Sequence, residues 1–217
     1  MKLSLVVASV LIMLGAIFAI IPAANRIVFI EINSFFPNKN LWLAITTLGD
    51  GAVAGCVFYL LFRKSSDLLT KGLIGGVIAI IASQGLKSVF GILRPEHTAG
   101  FENNIQLLTE SMQVTNFSMP SGHTITAFLL GALLFQYLKL NVMGKVFLAI
   151  VMITIATSRI ALGVHWPADV LVGAGVGMFI AVGCAILTIS IKNKWGTLAV
   201  HISYLPFVAA LIHKYFL

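Results

Sequence analysis

Residues Pro167–Ile191 read PADVLVGAGVGMFIAVGCAILTISI, and beyond Asp169 the stretch holds no charged side chain. A helix needs roughly 20 consecutive apolar residues to cross the ~30 Å hydrocarbon layer of a bilayer, and this run supplies them. Leu3–Ala23, Leu41–Phe62, Gly72–Leu93, Ser121–Leu138 and Val146–Val164 have the same character, each with at most one charged residue. The pattern predicts an all-α, polytopic membrane bundle of six core helices, forming a single domain over residues 1–217. Thr197–His213 is a candidate seventh segment. It is short and interrupted by His201 and Pro206, so spanning, lying in the interface and packing as a partial helix all stay open. Composition agrees: of 217 residues 59% are hydrophobic and 10% charged, with a mean hydropathy of +1.02. A soluble domain carries about a quarter charged residues.

Lys2 followed by an apolar run resembles a secretory leader. The uncharged stretch from Leu3 to Asn25 outlasts a leader's apolar core, and a retained first helix is expected. Cys56 and Cys184 lie far apart in apolar blocks and read as packing residues. The small residues of Gly72–Gly76 and Gly173–Gly177 suit close approach of helices in lipid. The net charge of +7 comes from residues scattered between spans, which fits loop charges and a few anion-binding groups better than a nucleic-acid surface. Lys2, Arg63, Lys64, Lys71, Lys139, Lys145, Lys192 and Lys194 fall on one side, which the positive-inside bias makes cytoplasmic. Arg26, Glu31, Lys39, Glu96, Glu102 and Glu110 fall on the other.

Three polar clusters converge on that second side. In the first, Lys87 and Arg94-Pro95 end the third span; seven residues apart, the two cations are expected to share a helix face. In the second, Pro120-Ser121-Gly122-His123 opens the fourth span. A helix starting at Ser118 or Pro120 would leave the amides of Ser121, Gly122 and His123 free for an anion, with His123 placed to move a proton. In the third, Ser158-Arg159 is followed after five residues by His165, and Asp169 in the first turn of the sixth span can reach back to orient the imidazole. Singly, each cluster has a plainer reading: a snorkelling lysine, an ordinary helix cap, an interfacial arginine. Their common depth on one face makes a shared site the better account. Lys87, Arg94 and Arg159 together suit the several oxygens of a phosphoryl group.

These clusters resemble the three-part signature of the type 2 phosphatidic acid phosphatase superfamily: Lys-x6-Arg-Pro, Pro-Ser-Gly-His, and Ser-Arg-x5-His-x3-Asp. Every signature position is filled, in order, between Lys87 and Asp169. The resemblance implies that His165 is the nucleophile forming a phosphohistidine, with Asp169 orienting it and His123 protonating the leaving group. It implies a phosphate-binding shell of Lys87, Arg94, Ser121, Gly122, Ser158 and Arg159. No metal or other cofactor is implied, since carboxylates are too few for a two-metal centre. The expected partners are an anionic phosphorylated lipid and the bilayer, with no nucleic acid and no obligate protein partner. The short chain and compact loops fit a bacterial inner-membrane enzyme with its site facing the periplasm.

Phosphatidylglycerophosphate, phosphatidic acid, undecaprenyl pyrophosphate and phosphorylated lipid A all fit the motifs. So does transfer of the phosphoryl group to a sugar-lipid hydroxyl instead of water. A transporter would also bury charge in the membrane, but would spread it through the full depth of the bundle. A soluble haloperoxidase relative shares similar anion-binding residues and is at odds with the hydropathy. Asp50, within the second span and nearer its outer side, reads either as support for the site or, preferably, as a polar residue packed between helices, and the Asn116-Phe117-Ser118 sequon reads as incidental.

Overall fold

The computed structural model describes residues 1–35, 37–101, 105 and 115–217. Glu102 and Glu110 lie outside them. Among the described residues the chain is helical, with one isolated antiparallel bridge between Leu93 and Phe117. The elements are α1 (Lys2–Ile20), α2 (Pro22–Phe35), α3 (Lys39–Thr47), α4 (Gly51–Phe62), α5 (Ser66–Phe90), α6 (Gly122–Tyr137), α7 (Val142–Ala161), α8 (Pro167–Ile186), α9 (Lys194–Ile202) and α10 (Leu205–Phe216).

The multi-pass bundle is as expected, but its membership differs. Among the described residues α1, α5, α7, α8 and the α9–α10 stretch are long and apolar enough to cross a membrane, and α3–α4 adds a sixth as one span bent by 50°. The uncertain C-terminal segment thus qualifies. It packs on α4 and α5, where the Tyr204 hydroxyl donates to the Leu69 carbonyl at 2.8 Å.

The fourth expected span does not qualify by length. After the cis Met119–Pro120 bond the helix begins at Gly122, not at Ser118 or Pro120, with Ser121 as its N-cap. Its 16 residues reach about 24 Å at 1.5 Å per residue. Buried along most of its length against α8, α7 and α5, α6 is the core of the bundle rather than a lipid-facing wall.

The first span ends at Ile20 instead of Ala23, and a separate helix follows. On α2 the residues Asn25, Phe29 and Asn33 are buried at successive four-residue steps, which is one face of a helix. That face packs on α7 and α8. Asn33 Nδ2 donates to the Ala161 carbonyl at 2.9 Å, and Asn25 Oδ1 accepts from the Ala168 amide at 3.1 Å in the first turn of α8.

Glycine decides how closely α8 sits to its neighbours. A Cβ at Gly173 would stand 2.9 Å from the Ser121 carbonyl oxygen, one at Gly177 2.4 Å from the Ile125 oxygen, and one at Gly175 2.7 Å from the Ala8 oxygen. The expectation of close packing holds there, with α6 on one side of α8 and α1 on the other. It fails for part of Gly72–Gly76, because Gly76 faces open space in a cavity described below. Lys71 is likewise more than a loop charge: from α5 its ammonium donates to the Tyr137 hydroxyl at 2.9 Å and to the Ala185 carbonyl at 3.2 Å.

Gly177→Val should therefore lower the melting temperature in detergent strongly, because overpacking against backbone costs about 1–3 kcal/mol. Gly183 on the same helix has nothing within 4 Å of its would-be Cβ, and Gly183→Ala should leave the melting temperature nearly unchanged. Equal responses to the two substitutions would contradict the α6–α8 contact.

Candidate active site

Two glycines in left-handed conformation build the site from the helix ends. Gly91, with φ 58°, caps α5 and donates its amide to the Lys87 carbonyl at 3.0 Å. Pro95 then holds Arg94 extended, at φ −68° and ψ 158°. Lys87 and Arg94 therefore do not share a helix face. Lys87 reaches the site from the last turn of α5, and Arg94 reaches it from the loop beyond. That loop is pinned by the Ser118 amide to the Ile92 carbonyl at 2.8 Å and by the Arg94 amide to the Asn116 carbonyl at 3.1 Å. Gly163, with φ 74°, performs the same reversal after α7 and brings His165 back over the helix end that carries Arg159.

His165 and Asp169 meet as their spacing predicts. His165 Nδ1 lies 3.2 Å from Asp169 Oδ2, which also accepts the Trp166 amide at 2.8 Å. Asp169 is fully buried. An Nδ1–H donated to the carboxylate leaves the lone pair on Nε2, on the far side of the ring. Arg94 Nη1 is 3.4 Å from that Nε2 and donates to the Val164 carbonyl at 2.8 Å, while its Nε donates to the Thr115 carbonyl at 3.0 Å. Burial first, then the charges of Arg94, Arg159 and Lys87, hold His165 well below the usual imidazole range. Burial also pulls Arg94 below the usual guanidinium range. Phe29, Phe101 and Trp166 stack around the turn, with ring centroids 5.0–5.5 Å apart.

Lys87, Arg94 and Arg159 are buried, at 5–8% exposure. Among the described residues none has a carboxylate within salt-bridge distance. Arg159 Nη1 donates to Thr46 Oγ1 at 2.6 Å, and its Nε is buried without a partner among the described residues. Buried cations without counter-ions are costly, and an anionic ligand removes that cost.

The second cluster differs in detail from its expected form. The Ser121 amide is not free: it donates to the Asp169 carbonyl at 3.1 Å, and the Ser121 hydroxyl accepts from Thr124 at 3.0 Å. Gly122 and His123, first in α6, keep the outward amides of a helix start. The Ser158 hydroxyl bonds back to the Ile155 carbonyl. Three contributors escaped the sequence reading. Ser83 sits one turn before Lys87 on the buried face of α5, its Oγ 3.1 Å from where a Gly122 Cβ would be; the four-residue step was the available signal. Asn25 shares such a step with Phe29 and Asn33 on α2, and Thr46 carried no signal.

His123 opens onto a cavity of about 660 Å³ between α4, α5, α6 and the α9–α10 stretch. From Gly49, Ser83 and Gly122 at the site, its apolar lining reaches Leu73, Leu133 and Tyr204 near the far end of the bundle.

Such a site defines a class, the multi-pass membrane proteins with buried cations beside a carboxylate-oriented histidine at one end of a helical bundle. The family model described as the PAP2 superfamily matches residues 68–194, and the chain belongs to that superfamily. It is 28% identical over 150 residues to an undecaprenyl-diphosphatase of Sulfolobus acidocaldarius, covering 68% of this chain and 64% of the relative. It is 34% identical over 128 residues to the bacitracin transport permease protein BcrC of Bacillus licheniformis, covering 58% of this chain and 60% of that one. The chain thus spans less than two thirds of either curated relative. The fold is similar to the crystal structure of a transmembrane PAP2-type phosphatidylglycerolphosphate phosphatase from Bacillus subtilis, with TM-score 0.64 and 20% identity over 85% of this chain and 95% of that one. It is also similar to LpxE of Aquifex aeolicus, with TM-score 0.59 and 26% identity over 76% of this chain and 96% of that one.

Proposed function

We propose that this protein removes phosphate from a phosphorylated membrane lipid through a phosphohistidine at His165. The observation that carries the reading is the set of three buried cations, without carboxylate partners among the described residues, around a histidine that has Arg94 at its Nε2 and Asp169 at its Nδ1. A phosphoryl group bound by Arg94, Arg159 and Lys87 would bring phosphorus within reach of Nε2. Nε2 then bonds to phosphorus as the bond to the lipid oxygen breaks, and the electron pair leaves with that oxygen, which His123 protonates. The cations, Arg159 Nε among their donors, and the Gly122 and His123 amides meet the charge on the equatorial oxygens. Water cleaves the phosphohistidine and regenerates the neutral imidazole.

The apolar cavity beside His123 supports a lipid substrate, since it gives a hydrocarbon tail a place next to the reacting group. The basic residues at the opposite end of the bundle support a site facing away from the cytoplasm. Phosphate release by purified protein, across lipid monophosphates and diphosphates in mixed micelles, tests the reading. Release is expected to persist in EDTA, because the chain's own cations supply the positive charge, and to stop with orthovanadate, which imitates five-coordinate phosphorus. Loss of activity on chelation, restored by a divalent ion, would overturn this account of the phosphate shell.

A further inference from the structure

Lys214, in the last turn of α10, lies outside the residues 68–194 that the family match covers. Its ammonium pairs with Asp50 Oδ2 at the break between α3 and α4. Asp50 is therefore not packed within a continuous span: it caps α4, its Oδ1 accepting the Ala52 amide at 2.9 Å and the Val53 amide at 3.4 Å. The break sits on the candidate general acid. A Cβ at Gly49 would stand 3.1 Å from the His123 carbonyl oxygen, and Gly49 and Gly51, either side of Asp50, both line the cavity. Lys214 is thus held, through Asp50, beside two glycines that line the cavity, one of them against His123.

We infer that Lys214 binds the second phosphate of a lipid diphosphate and favours such substrates over lipid monophosphates. The inference rests on the phosphatase reading of the site. A diphosphate whose terminal phosphorus faces His165 and whose tail enters the cavity must pass its inner phosphate through the mouth between them. Attack by His165 Nε2 breaks the bond from the terminal phosphorus to the bridging oxygen. The electron pair stays on that oxygen, so the departing group is a lipid monophosphate carrying negative charge. A lipid monophosphate instead releases an alcohol, which needs a proton but no cation. Lys214 meets this requirement because its side chain is 43% exposed and an ammonium has three donors, of which Asp50 engages one. The plainer role is a staple holding α10 to α4.

The test compares kcat/KM for a polyprenyl diphosphate and the corresponding monophosphate, with melting temperatures measured alongside. Lys214→Met should lower the ratio of the two values about 10- to 100-fold, as expected for losing a charge-assisted hydrogen bond. Lys214→Arg should restore most of it. Asp50→Asn keeps a helix-capping side chain and removes the pairing charge, so it should leave the ratio at or above its wild-type value. A ratio unchanged in Lys214→Met, or lowered equally in Asp50→Asn, would assign Lys214 to the staple and overturn the inference. Wild-type protein that releases phosphate from neither polyprenyl lipid would overturn this inference, and release from no lipid of the wider panel would overturn the phosphatase reading itself.

Discussion

Replacing His165 with alanine is expected to abolish turnover while the protein still folds and inserts. The imidazole sits on a turn fixed by Gly163, and its removal leaves intact the Trp166 amide bond to Asp169 and the packing of α7 on α8. No other group supplies its chemistry, so the loss should reach the detection limit on every substrate, activated or not. The wild-type pH profile carries a linked expectation. A histidine held well below the usual range stays neutral, and hence nucleophilic, as pH falls past the ordinary value of about 6.5. The acid limb of kcat/KM should then follow the second ionisation of the substrate, near about 6 for an alkyl phosphate, and move when that ionisation is moved. A limb at the ordinary histidine value, whatever the substrate, would contradict a neutral buried nucleophile.

His123→Ala should give the second-largest effect, and one that depends on the leaving group. A proton delivered to the departing oxygen is worth about 10²–10⁴-fold. A lipid alkoxide is a poor leaving group and needs that proton, whereas an acidic phenol departs without it. Single-turnover phosphorylation should therefore fall through much of that range on a lipid monophosphate and far less on an aryl phosphate. His123 opens the first turn of α6 at the cavity mouth, where a tail-bound lipid would present its ester oxygen. Equal losses on both substrates would assign His123 to phosphate binding or to packing.

The motifs were legible because their spacing encodes local geometry. Asp169 lies four residues after His165, with Pro167 opening a helix between them, so the carboxylate had to turn back toward the ring. The convergence of the clusters followed from counting spans between basic loops. Lys87 and Arg94 were misplaced on one helix because an apolar run conceals where a helix stops. Gly91 in left-handed conformation and the restriction that Pro95 puts on Arg94 end it early. The bend at Asp50 was hidden for the same reason: hydropathy averages over a break that one capping carboxylate creates. The α2 helix left a signal in the four-residue step of Asn25, Phe29 and Asn33. Thr46 and Lys214 left none, since what places each of them is a partner more than 100 residues away, Arg159 or Asp50.

The central claim is a covalent phosphohistidine at His165, and trapping it is the most direct test. Wild-type protein mixed with a lipid substrate labelled in its terminal phosphate, and quenched in alkali within the first turnover, should carry label that acid removes and base does not. The label should map to the peptide containing His165, appear also in His123→Ala with an aryl phosphate, and be absent from His165→Ala. Phosphate release at a normal rate with no alkali-stable label, or label on a peptide lacking His165, would contradict the account.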